Sequence, residues 1–67
     1  MNDKQFIKAV RKLGKATATP VLLENKGKGG HRRLHYGLAF TTVQTGEIPT
    51  GTLHAMCKQI GIKVRDL

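Results

Sequence analysis

The sequence predicts an α+β domain with the element order α-β-β-β-α, and three observations predict it. Apolar residues recur at three- and four-residue steps near both ends of the chain, at Phe6, Ile7, Val10 and Leu13 and again at Leu53, Met56, Cys57 and Ile60. Between these stretches lie short runs of β-formers separated by turn residues, with connections too short for parallel crossovers. A length of 67 residues is close to the lower limit at which one hydrophobic core holds a fold together, so residues 1–67 are read as one domain.

The first helix opens at Asn2 or Asp3, either of which can accept a hydrogen bond from a free backbone N–H of the first turn. Gly14 is placed to end it. The opposite face carries Lys4, Lys8, Arg11 and Lys12, read first as a solvated surface and second as an extension of a cationic footprint. Residues Lys15 to Pro20 mix small and β-branched types around a proline and form a connection. Val21 to Leu23, closed by Glu24 and Asn25, make a first strand.

Lys26-Gly27-Lys28-Gly29-Gly30 cannot lie inside a regular element, because its glycines cost too much backbone entropy there. His31 to Tyr36 and Leu38 to Gln44 flank Gly37 and form an antiparallel hairpin. Alternation puts His31, Arg33 and His35 on one face and Arg32, Leu34 and Tyr36 on the other, with Leu34 toward the core. A two-residue and a three-residue turn at Gly37 would place different residues opposite Phe40, and periodicity does not choose between them. Thr45-Gly46-Glu47 is a turn, and Pro49-Thr50-Gly51 leads into the second helix. Gly61 stops that helix, Ile62 supplies the apolar contact of a left-handed helix end, and Val64 and Leu67 dock the tail. Each helix has one apolar face, so both pack on the same face of the three-stranded antiparallel sheet, an arrangement shared with double-stranded-RNA-binding domains.

Twelve Lys and Arg against four Asp and Glu give a formal net charge of +8, which favours phosphate-rich partners or acidic protein surfaces. So small a chain has little room for a deep enclosed cavity, and it gains stability readily from a partner. Cys57 is the only cysteine, so no internal disulfide forms, and a lone thiol suits a reducing compartment. No apolar run approaches the roughly 20 residues that cross a bilayer, and the first residues lack the apolar core of a signal peptide. The expectation is a cytoplasmic protein with no membrane segment.

The densest chemical signal is Lys26-Gly27-Lys28-Gly29-Gly30-His31-Arg32-Arg33-Leu34-His35, with four fixed cations, two histidines and no acid. Gly29 and Gly30 let backbone N–H groups approach a phosphate, and Lys26, Lys28, Arg32 and Arg33 can neutralise it. The run has no Walker pattern, and a mobile loop with solvated charges would read similarly. His31 sits where the glycines become a strand, and an imidazole exchanges protons near neutral pH. RNA carries its own nucleophile in the 2′-hydroxyl, so one placed proton carrier and cationic stabilisation suffice to cut it without metal or cofactor. A zinc site is disfavoured: His54 and Cys57 stand three apart, but Cys57 belongs to the apolar stripe, and no cysteine or carboxylate completes a shell around His31 and His35. Four scattered acids support no serine triad or paired-carboxylate arrangement.

In order along the chain stand Gly29-Gly30-His31 before a strand, Gly46-Glu47-Ile48, Gly51-Thr52-Leu53, and Lys58-Gln59-Ile60-Gly61-Ile62. That series resembles the HicA-type mRNA interferase toxins of HicA/HicB toxin-antitoxin systems, from the first helix to Ile62. The resemblance implies a fold like double-stranded-RNA-binding domains, ribosome-independent mRNA cleavage, and neutralisation by a HicB-type antitoxin. It also implies that His31 is the catalytic histidine. The chain departs from the family pattern in having Gly30 where serine is common before the histidine, in lacking the Pro-x-His stretch after the third strand, and in a longer segment between Gly14 and His31. Two other classes remain open: a non-catalytic basic RNA-binding module, and an interaction subunit whose positive surface meets an acidic partner.

Overall fold

A computed structural model describes residues 1–25 and 30–67. The chain folds as α1 (Asp3–Ala16), β1 (Val21–Asn25), β2 (Arg32–Tyr36), β3 (Ala39–Val43) and α2 (Thr50–Gln59), closed by a short 3₁₀ turn, Val64–Asp66. The order is the expected α-β-β-β-α, and the strands pair antiparallel in the order β1-β2-β3.

Asn2 is the cap of α1. Its Oδ1 accepts from the Gln5 N–H at 2.8 Å while the Gln5 side chain accepts from the Asn2 N–H at 2.9 Å, so two otherwise orphaned donors are satisfied reciprocally. Asp3, freed from capping, is buried and ties three elements together. Its carboxylate accepts from the Gly46 N–H at 3.2 Å and pairs with Arg32 on β2. Asn2 also forms an isolated antiparallel bridge with Glu47, so the start of α1 is stitched to the β3–α2 connection.

Gly14 does not end α1, contrary to the sequence expectation. The helix runs on to Ala16 and closes with Thr17 N–H bonding Leu13 O at 2.9 Å and Thr19 N–H bonding Gly14 O at 2.8 Å. The left-handed residue of this helix end is Ala18, at φ 54°, a position usually given to glycine. Gly14 is buried instead because β1 crosses close against it: a Cβ there would stand 2.6 Å from Val21 Cγ2 and 2.8 Å from the Thr19 carbonyl oxygen. At α2 the expectation holds. Gly61 takes φ 75°, its N–H bonds Lys58 O, Ile62 N–H bonds Cys57 O at 2.9 Å, and Ile62 packs on the core.

The hairpin register is resolved as a two-residue turn at Gly37 and Leu38, with Tyr36 opposite Ala39 and His35 opposite Phe40. Gly37 has φ 63° and Leu38 is not left-handed, the pattern of a type II′ turn. Alternation then sorts the sheet. Leu34, Thr41 and Val43 are buried toward the helices, with Val21, Leu23, Tyr36 and Ala39 packed around them. Phe6, Ile7 and Val10 of α1 and Leu53, Met56 and Cys57 of α2 meet that same sheet face, with Ile48 and Ile60, in one core. Both helices therefore cover one side of the sheet. Thr41, the buried hydroxyl in this core, is satisfied by donating to Gln59 Oε1.

Candidate nucleic-acid interface

Antiparallel register leaves the second sheet face uncovered by helices and lines up two rows across the strands. Leu22, His35 and Phe40 form one row, and Glu24, Arg33 and Thr42 form the next. The contacts on this face follow the rows. The Arg33 guanidinium carbon lies 4.6 Å from the Phe40 ring centroid, and the His35 and Phe40 rings are 5.8 Å apart, tilted by 43°. His35 Nε2 donates to Glu24 Oε1, which holds the imidazole in place. Phe40 and Leu22 are exposed here, at 48% and 58%.

Lys26, Lys28 and Gly29, expected to contact RNA, lie outside the described residues, as does Gly27. Gly30 leads into β2 with φ 77°, and its carbonyl accepts from Thr45 Oγ1 at 3.5 Å. A Cβ at Gly30 would approach Thr45 Oγ1 to 2.4 Å, so the residue before His31 is glycine for two reasons: backbone sign and space against the β3–α2 connection. The serine common at this position in the resembled family would require Thr45 to move. His31 follows, exposed, immediately before β2.

Arg32 and Arg33, adjacent in sequence, have opposite surroundings. Arg32 points to the helix side, where it pairs with Asp3. Hydrogen bonding from Arg32, then from the Gly46 N–H, holds the Asp3 carboxyl below the usual carboxylate range against the opposing effect of desolvation. Arg33 has its guanidinium on the open face over Phe40. Of the two arginines named as phosphate contacts, Arg32 thus has an anionic partner within the fold and Arg33 has an aromatic one.

The lysine-rich side of α1, read first as solvated surface, lines a groove of about 610 Å³ beside β1. The groove is lined by Lys4, Lys8, Arg11, Lys12 and Lys15 of α1 and by Arg32 of β2, together with the apolar Ile7 and Leu23. Periodicity places Lys4, Lys8, Arg11 and Lys12 on one face; Lys15, expected in the connection, joins them because α1 runs on to Ala16, and the concavity comes only with β1. Phe40 was missed because the turn length, and hence its strand partner, was unsettled. Among the described residues, no group of three or more His, Cys, Asp or Glu gathers where a metal ion would sit. Cys57 is buried in the core, and desolvation, followed by the negative charge of Asp66, pushes its thiol up. His54, three residues earlier, is exposed.

No protein-family model matches the chain, and neither a curated protein nor a solved structure matches it.

Proposed function

We propose that this protein is an endoribonuclease of the HicA type, a toxin that cuts mRNA in the cytoplasm and is neutralised by a HicB-type antitoxin. The observation that carries the reading is the exposed His31 at the glycine-to-strand junction, with the fixed cation Arg33 two residues away on the open sheet face. In this mechanism His31 accepts the proton of a ribose 2′-hydroxyl, O2′ attacks the adjacent phosphorus, and the bond to the 5′-oxygen breaks. The leaving 5′-oxygen takes a proton from solvent water, leaving a 2′,3′-cyclic phosphate and a 5′-hydroxyl, and the His31 imidazolium returns its proton to solvent. Arg33, with Lys26 and Lys28 as further candidates, offsets the charge that grows on the phosphorane. Arg32 is the weaker candidate because it is already paired with Asp3. The net charge of +8 supports capture of a polyanion and encounter with an acidic inhibitor alike.

Cleavage of a labelled RNA in the presence of chelator tests the reading. His31→Ala should bind RNA yet lose about 10²- to 10⁴-fold in rate, the products should end in cyclic phosphate, and a 2′-deoxy substitution at the cut site should block the reaction. Undiminished cleavage by folded His31→Ala refutes the role of His31, and undiminished cleavage of the 2′-deoxy substrate transfers the attack to water. Antitoxin occlusion predicts hydrogen-exchange protection of residues 30–36 in the complex. The second reading, a non-catalytic RNA-binding module, is favoured by the α1 groove, whose five helix cations need no proton carrier to hold a backbone. It predicts tight, salt-sensitive binding with no cleavage by the unaltered protein.

A further inference from the structure

The open face of the sheet presents an exposed aromatic ring with a cation stacked on it, on the side that no helix covers. We infer that Phe40 and Arg33 form a stacking platform for a base of single-stranded RNA, on the open sheet face that continues from the His31 end of β2. The inference rests on the proposed ribonuclease reading for its chemistry and adds to it a substrate class, unpaired RNA, and a residue that selects for it.

Four observations support it. Phe40 is 48% exposed although its neighbours in β3, Thr41 and Val43, are buried, so the ring is not part of the core. The Arg33 guanidinium lies 4.6 Å from the ring centroid, and unpaired bases stack on both aromatic rings and guanidinium planes. His35 flanks the ring at 5.8 Å and is itself held by Glu24, which fixes one wall of the platform. His31 lies four residues before His35, the residue opposite Phe40, about 13 Å of chain at strand rise, so a base on Phe40 belongs to the same RNA strand as the linkage at His31 but not to the nucleotide being cut. A base inside a duplex has its faces covered by neighbouring bases and cannot use such a ring. The row Glu24, Arg33, Thr42 makes the face half polar, and Arg33 on a chain of net charge +8 favours a polyanion over an apolar protein surface.

The test uses the full chain and a fluorescein-labelled single-stranded RNA of mixed sequence, with the same RNA annealed to its complement as comparison. Phe40→Ala should weaken single-strand affinity by about 5- to 150-fold. It should leave the slope of affinity against salt unchanged, because stacking releases no counterions. The chain contains no tryptophan, so Phe40→Trp places a single indole in the platform. Its fluorescence should be quenched on saturation with single-stranded RNA and not with the duplex. Wild-type affinity in folded Phe40→Ala, or an unquenched indole in a saturated complex, overturns the platform. So does a dimer of the unaltered protein that Phe40→Ala dissociates without any change in RNA affinity. Binding and quenching without cleavage uphold the platform and defeat the ribonuclease reading, whereas cleavage at wild-type rates by Phe40→Ala with unchanged affinity does the reverse.

Discussion

Two glycine-to-alanine substitutions, one in each helix, should change stability in opposite directions. Intrinsic helix propensity favours alanine at both Gly14 and Gly51, by about 0.5–1 kcal/mol. At Gly51, in the first turn of α2, a Cβ meets nothing within 4 Å, so the propensity gain stands alone. At Gly14 the same Cβ lands 2.6 Å from Val21 Cγ2 and 2.8 Å from the Thr19 carbonyl oxygen. The Val21 methyl can rotate aside. The carbonyl cannot easily retreat, because the N–H of Thr19 is bonded to Gly14 O at 2.8 Å and anchors that residue to the helix end. Overpacking of this kind costs about 1–3 kcal/mol, which outweighs the propensity term and leaves Gly14→Ala less stable by about 1–2 kcal/mol. A 67-residue domain has roughly 3–10 kcal/mol in total, and 1 kcal/mol moves the melting temperature by about 4–8 °C at this size. Thermal unfolding followed by circular dichroism should therefore show Gly14→Ala several degrees below the parent and Gly51→Ala a few degrees above it. A Gly14→Ala protein as stable as the parent would refute the close approach of β1 to α1.

Truncating Leu34, fully buried at the centre of the sheet, should cost about 2–5 kcal/mol and leave Leu34→Ala largely unfolded or close to it, as urea titration would show. Ala18→Gly should stabilise by up to about 1 kcal/mol, since a left-handed Ala18 is strained; an unchanged urea midpoint would count against that strain. The Asp3 carboxyl is held low in the folded state, so its contribution is present above the ordinary carboxylate range and lost as pH falls through the folded value. Asp3→Asn should remove part of that acid-side loss in urea midpoints measured at stepped pH, and identical acid limbs would contradict the Arg32 and Gly46 contacts. Cys57, buried with its thiol pushed up, should react slowly with a disulfide reagent at neutral pH and at free-thiol speed only in denaturant; rapid labelling of the folded protein would place it outside the core.

The element order, the apolar stripes of both helices, the end of α2 at Gly61 and the inward direction of Leu34 are legible in the order of residues alone. Each of these follows from local periodicity or from a single residue's backbone freedom, which a linear reading can count. Tertiary contact decided the rest. Gly14 reads as a helix stop by the same rule that succeeds at Gly61, yet it is needed where β1 crosses α1, and the left-handed turn passes to Ala18. Arg32 and Arg33 are indistinguishable as charges in a row, and only the pairing of β2 with its neighbours assigns one to Asp3 and the other to Phe40. The prominence of Phe40 depended on a one-residue difference in turn length at Gly37, and a slip of one residue in a strand reverses every side chain. The groove on α1 exists because β1 lies beside it. Spacing along one helix reveals where its cations stand, but a concavity needs a second element whose position the chain sets only when the whole core closes.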